Sequence, residues 1–210
     1  VVAVLSYLIG IVIGTAGAGA KLSHSVVLRG AADVYTTVVR GVPELLVIYL
    51  LFFGLDPAIK FIASGFGYTG TLRLEPFTVG VGAIGVISGA YSTEVLRGAI
   101  QAIPAGQIEA ARAVGMHRLQ IFYRIMLPQV MRFALPGLGN VWQLTLKDTA
   151  LISVTGLAEL MRQSSVAARS TREPFDFYIF AALLYLVMTT VSTAVFHRAE
   201  GHYNRGVRRA

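Results

Sequence analysis

Lys147 and Asp148 stand side by side in a run from Phe133 to Ala158 that carries no other charge. A charge inside a membrane costs at least about 2.5 kcal/mol unless it is paired or hydrated, so this pair reads as lining a cavity. An adjacent cation and anion near a helix end can meet a ligand that carries charges of both signs. Thr149 follows with a hydroxyl. The plainer alternative is a lid on a helix end, with both charges bonded to neighbouring backbone. Arg40 and Glu44 form a second pair four residues apart, with Gly41 and Pro43 between them. A helix there should kink or start afresh, and broken helices border transport sites. An interfacial ion pair that anchors the span is the alternative. Tyr91, Asn140, Trp142 and Gln143 add polar or aromatic atoms to apolar segments. Glu94 and Arg97 are spaced for a structural ion pair, with Glu94 also a candidate for the pathway. This is chemistry of binding and passage. No grouping of nucleophile, base and metal emerges, so no catalytic residue is assigned. His24, His117, His197 and His202 lack metal-ligand spacing, and the absence of cysteine excludes disulfides and thiolate metal sites.

A different kind of site lies between Glu109 and Pro128. It reads Glu109-Ala110-Ala111-Arg112-Ala113-Val114-Gly115, then nine residues, then Ile125-Met126-Leu127-Pro128. Physically it is two short helices around a turn. Pro104 suits a first helical position, where its missing N–H is harmless, and Gly115 can take the positive φ of a tight turn. Ile108, Ala111, Gly115, Leu119, Phe122 and Met126 recur at helical spacing beside Arg112, Arg118 and Arg124. Such a ridge suits a partner's groove, and equally an ordinary hairpin packed on its own bundle.

The elements that must position these residues are membrane helices. Of the 210 residues, 55% are hydrophobic and only 14% charged, the composition of a polytopic membrane protein rather than a soluble domain. Backbone groups in lipid must be satisfied within the segment, which helices achieve. The pattern predicts an all-α chain with about five spans, near residues 1–20, 34–55, 77–96, 130–150 and 176–197. The whole of 1–210 is expected to form a single transmembrane domain with a loop at about 98–129. The first apolar run reads as a membrane helix cut short by missing residues, not as a signal peptide. Segments 56–76 and 163–174 read as outward connections.

Charge orients the bundle. Lys21, Arg29, Arg40, Arg97, Arg112, Arg118, Arg124, Arg132, Arg198, Arg205, Arg208 and Arg209 fall on one side; Lys60, Arg73, Arg162, Arg169 and Arg172 fall on the other. The positive-inside rule puts the Glu109 loop and the C-terminus in the cytoplasm. The net charge of +7 reads as anchoring against anionic lipid rather than as a nucleic-acid surface. Gly10 with Gly14, and Gly85 with Gly89, are spaced to let membrane helices approach closely. Gly80-Val-Gly82-Ala-Ile-Gly85 matches the dinucleotide fingerprint in letters, but it lies in an apolar span rather than between a strand and a helix, so it reads as helix packing. No phosphate-binding loop with a Gly-Lys-Ser/Thr ending is present, so ATP hydrolysis is not assigned to this chain by motif.

Glu109-Ala110-Ala111, Gly115, Ile125, Leu127 and Pro128 resemble the EAA signature of permease subunits of bacterial ATP-binding cassette (ABC) importers. Arg40-Gly41-Val42-Pro43, Gly89-Ala90-Tyr91-Ser92-Thr93-Glu94 with Arg97-Gly98, Leu135-Pro136 with Asn140, and Leu146 to Leu151 look like the polar amino-acid subfamily. Gly17 to Ser23, Trp142-Gln143, Ser170 to Phe175 and Gly206 to Ala210 are similar to the Q-type permease of histidine, lysine/arginine/ornithine and opine importers. The resemblance covers nearly the whole chain; only residues around 56–76 give little to match. Where the histidine-type permease has a small hydroxyl residue, this chain has Asp148, a departure that bears on the substrate.

The resemblance implies a type I importer permease fold in the bacterial inner membrane. Glu109, Ala110, Ala111, Arg112 and Gly115 would belong to the coupling helix that docks into a cytoplasmic ATPase subunit. Lys147, Asp148, Thr149, Arg40, Glu44, Tyr91, Glu94 and Gln143 are the candidates for the substrate path. The implied partners are a sister permease, two ATPase copies and a periplasmic amino-acid-binding protein, with ATP and Mg held by the ATPase and no cofactor or metal on this chain. The cargo would be a polar amino acid, basic or opine-like. Two rival classes remain at this level: a carrier driven by an ion gradient, which would typically show repeated halves, and a membrane scaffold without a substrate path.

Overall fold

The computed structural model describes residues 1–65 and 75–204, and every regular element among them is helical. Arg73 and the tail residues Arg205, Arg208 and Arg209, used above for orientation, lie outside these residues. In chain order the helices are α1 (Val2–Lys21), α2 (Val26–Gly41), α3 (Glu44–Gly65), α4 (Pro76–Gln101), α5 (Ala105–Ala113) and α6 (Arg118–Ile121). A π-helical turn (Phe122–Met126) leads into α7 (Leu127–Asp148), and a 3₁₀ turn (Thr149–Thr155) follows it. The described chain closes with α8 (Leu160–Thr171) and α9 (Pro174–Tyr203).

α1 and α4 form the centre, and glycine is the reason they can. The buried face of α1 is Ala3, Ser6, Gly10, Gly14 and Ala18, small residues three or four apart. A Cβ at Gly10 would lie 2.4 Å from Ser88 Oγ, and one at Gly14 2.5 Å from Ser92 Cβ. In return, Gly85 and Gly89 of α4 receive Ile9 and Ile13, each at 2.7 Å from a would-be Cβ. Both predicted glycine pairs are therefore contact faces. Lipid offers no hydrophobic drive for helix association, so this close fit and the hydrogen bonds across it supply the attraction. Ser6 Oγ donates across it to the Val81 carbonyl at 3.0 Å, while Tyr7 Oη ties α1 to α7 through the Leu138 carbonyl at 3.0 Å. The Gly80 to Gly85 stretch lies wholly within α4, where Gly85 receives Ile9 of α1, Gly80 faces Ile152 of the 3₁₀ turn, and Gly82 has open space.

α7 packs on α4 and also touches α1, with Gly137 against Val95 and Gly139 against Phe196 of α9. Thr145 Oγ1 sits 3.1 Å from Ser88 Oγ near the middle of α4. Val47, Ile48, Ala83, Ile84, Ile87 and Ile152 form the apolar cluster that seats α3 and the 3₁₀ turn on α4.

Each of the five predicted spans falls on helix, and by length and apolarity α1, α4 and α9 qualify individually as membrane-crossing. α7, at 22 residues, is about 33 Å long, enough for a bilayer core of about 30 Å, although Arg132, Asn140, Gln143, Lys147 and Asp148 make it more polar. The segment expected at 34–55 is corrected in one respect. It is not one rod: helix starts earlier, at Val26, and α2 and α3 meet at 111°. The break falls between Gly41 and Glu44, around Pro43, where the sequence placed a kink or fresh start. Ser25 caps the early start by accepting the Leu28 N–H. The 163–174 connection is likewise mostly helix, because Ser164 and Ala168 of α8 are small enough to pack.

Candidate functional site

The α2–α3 break places its flanking charges beside α4. Tyr91 donates its hydroxyl to Glu44 Oε1 at 3.0 Å, and the Arg40 guanidinium carbon stands 5.4 Å from the centre of the Tyr91 ring. Asp148, the last residue of α7, is within electrostatic reach of Glu44. Arg40 and Glu44, four residues apart and on either side of the break, thus both meet Tyr91 of α4, with Asp148 in the neighbourhood. Arg40 is exposed, and Glu44, Tyr91 and Asp148 are half-buried.

Lys147, one residue from Asp148, turns elsewhere. It is exposed and borders a cavity of about 320 Å³ shared with Ala150, Met161, Tyr178, Ala181, Ala182 and Tyr185. Thr149 is buried, donates to the Leu146 carbonyl at 2.7 Å and lies 3.5 Å from Tyr185 Oη. Gln143 points to α9, where its amide meets Thr193 Oγ1 at 3.0 Å. Glu94 sits at the far end of α4 in an ionic cluster: it binds Lys21 and Arg97, and Lys21 also reaches Asp33 at 2.8 Å. The predicted Glu94–Arg97 pair is present, with the guanidinium Nη2 at 2.8 Å. The structure therefore joins Arg40, Glu44 and Tyr91, leaves Asp148 within electrostatic reach of Glu44, and holds Lys147, Thr149, Gln143 and Glu94 in other surroundings.

Sequence reasoning did not single out Glu159 or Tyr185. Both line a pocket of about 350 Å³ together with Thr149, Leu157 and Phe77. Glu159 caps α8 by accepting the Met161 and Arg162 N–H groups. Burial raises its carboxyl above the ordinary range, although those two bonds pull the other way. An acidic residue three positions before Arg162, just ahead of a helix, was the capping signal available in the sequence.

The Glu109 region is two short helices around a turn, as its spacing predicts. Gly115 has φ +79°, the positive value expected there, and Pro104 is the N-cap of α5, one residue before the first helical position. Glu109, Ala110, Arg112 and Val114 are exposed, while Ala111 is buried against a concavity formed with Met116, Ile125 and Pro128. The expected single ridge divides: Ala111 faces its own chain, Leu119 is 62% exposed, and Phe122 and Met126 border an apolar cavity between α1, α4 and α7. The π turn was not foreseen. In an uninterrupted α-helix the Pro128 ring would meet the Arg124 carbonyl and leave it without a partner; the wider turn just before the proline is the local answer to that conflict. Among the described residues no group of three or more His, Cys, Asp or Glu is arranged to hold a metal.

A family model described as binding-protein-dependent transport system inner membrane component matches residues 6–209. The chain belongs to this family. Members are inner-membrane, multi-pass permeases of ABC transporters, which work with ATPase and binding-protein partners. Within the family the chain is 55% identical over 208 residues to the octopine transport system permease protein OccQ of Rhizobium radiobacter, covering 99% of this chain and 88% of that one. It is 54% identical over 209 residues to the nopaline transport system permease protein NocQ of Agrobacterium fabrum, at 99% and 89% coverage. The histidine/lysine/arginine/ornithine transport system permease protein HisQ of Escherichia coli is 45% identical over 208 residues, at 99% and 91% coverage. Among solved structures, an amino acid ABC transporter crystallised with histidines aligns with TM-score 0.79 and 33% identity over 96% of this chain and 88% of that chain. The MetNI methionine ABC transporter shares the fold, with TM-score 0.69 and 15% identity over 97% and 90%.

Proposed function

We propose that this permease carries a cationic or opine-like amino acid inward through a path bordered by Arg40, Glu44, Tyr91 and Asp148. The supporting observation is the meeting of Glu44, Arg40 and the Tyr91 phenol at the α2–α3 break, with the half-buried Asp148 within electrostatic reach of Glu44. Glu44 and Asp148 would attract an ammonium or guanidinium side chain, and Arg40 would take the substrate carboxylate, a charge-assisted and geometrically selective pairing. The relatives named for octopine, nopaline and histidine/lysine/arginine/ornithine transport support the same class. Lys147 and Thr149 would border the path, and Glu94 and Gln143 would contribute through the helix contacts that hold it.

The working assembly would pair this single-domain subunit with a homologous sister permease, two cytoplasmic ATPase copies and a periplasmic binding protein. ATP and Mg would be bound by the ATPase, and this chain would perform no catalysis. Its C-terminus and α5 would lie in the cytoplasm, in keeping with the basic bias of those connections. α5, presenting Glu109, Ala110 and Arg112 with Ala111 and Gly115 setting its seat and turn, would be the docking element. Closure of the ATPase would move α5 and, through the π turn, α7 and Asp148.

Competition uptake in proteoliposomes holding the complete transporter tests the substrate class. Arginine, histidine and octopine should compete with one another for entry, and glutamate should not. Preference for an acidic amino acid would overturn the charge assignment.

A further inference from the structure

We propose that Gln129 is a positioning residue that links α5 to α7 during the transport cycle, acting through Gln107 and the backbone of the π turn. This rests on the reading that α5 docks on the ATPase. The Gln129 amide nitrogen donates to Gln107 Oε1 at 2.6 Å and to the Ile125 carbonyl at 3.0 Å. One side chain on the first turn of α7 therefore holds both the first turn of α5 and the π turn that joins α6 to α7.

The arrangement follows from the sequence. Pro128 lacks the N–H that an α-helix would direct to the Arg124 carbonyl, and Gln129, the next residue, places its side-chain donor on the neighbouring Ile125 carbonyl. Its second N–H is free for Gln107 because the positive φ at Gly115 folds α5 back toward the start of α7. Gln107–Gln129 is the side-chain hydrogen bond that ties α5 to another helix among the described residues. The remaining hold is the burial of Ala111 beside Ile125 and Pro128. Apolar contact of this kind resists separation but is nondirectional, so α5 could still slide or rotate on its seat. A hydrogen bond is directional and fixes that freedom. A load applied to α5 by a docked ATPase would then pass into the backbone of α7, whose other end carries Asp148.

The test uses the complete transporter in proteoliposomes, reading ATP hydrolysed per substrate imported and, separately, retention of the ATPase on the affinity-purified permease. Gln129→Leu and Gln107→Leu should each raise the ATP consumed per substrate about three- to ten-fold, the factor equivalent to a typical net hydrogen bond, with the ATPase retained. The double variant should be no worse than either single one. Gln107→Glu keeps an acceptor oxygen and should keep the wild-type ratio. An unchanged ratio in Gln129→Leu, or additive losses in the double variant, would overturn the proposal. Glu109→Lys in the same assay separates the two readings. If it stays fully coupled, the docking reading fails; if it uncouples while Gln129→Leu does not, only the Gln107–Gln129 link fails.

Discussion

The Tyr91 hydroxyl lies 3.0 Å from Glu44 Oε1, so the first residue of α3 is held by the middle of α4 at the point where the preceding helix breaks. The bond engages Oε1, so in the proposed path Glu44 would meet a substrate through its other oxygen. Tyr91→Phe should preserve membrane insertion and lower thermal stability by no more than about 1.5 kcal/mol. It should raise the KM for uptake more than it lowers kcat, because Glu44 is freed to swing. Uptake kinetics together with a thermal melt check this, and an unchanged KM would separate Glu44 from binding.

Asp148→Ala should change substrate preference or abolish uptake, since it removes one of the two carboxylates assigned to the proposed path. Affinity and selectivity profiles of the purified transporter decide it. Wild-type values for both would take Asp148 out of the path.

Gly14→Val should cost about 1–3 kcal/mol or prevent folding, because its Cβ would overlap Ser92 at 2.5 Å and packed interfaces absorb added carbons poorly. Gly19→Ala, with open space around its Cβ, should be tolerated within about 1 kcal/mol. Thermal unfolding in detergent measures both. Equal effects would mean that α1 does not pack through its glycine face.

Glu94→Gln should destabilise the chain by about 1.5–3 kcal/mol, the range for a charged hydrogen bond, since Lys21 is only 8% exposed and loses its carboxylate partner from α4. Arg97→Ala, on the solvent side of the same carboxylate, should cost less than about 1 kcal/mol. Reversal of that order, read from melting temperatures, would contradict the burial of Lys21.

Much of this was legible in the sequence because membrane helices are written in simple periods. The glycine pairs at 10/14 and 85/89 named the central interface, the Gly41–Pro43 step marked the break, and Gly115 marked the turn beside Glu109. Proximity across elements was not legible. Nothing in the spacing of Arg40 and Tyr91 says that they meet, or that Lys147 borders a cavity with α8 and α9; only the packing of the helices decides that. The length of α2 was hidden because its polar residues Arg29 and Asp33 read as loop, whereas Asp33 bonds Lys21. α8 was hidden by its serines, which resemble linker composition but supply small packing surfaces. The π turn arises from a local conflict at Pro128, which a periodicity count does not register.

The central claim is that force from a separate ATPase enters through α5. ATP-dependent uptake by proteoliposomes carrying the reconstituted transporter, wild type against Glu109→Lys, tests it most directly. ATP-dependent accumulation is expected in the wild type, with substrate import lost or uncoupled from hydrolysis in the variant, which still inserts in the membrane. Undiminished ATP-driven import by Glu109→Lys, or wild-type import without ATPase and ATP, would contradict it.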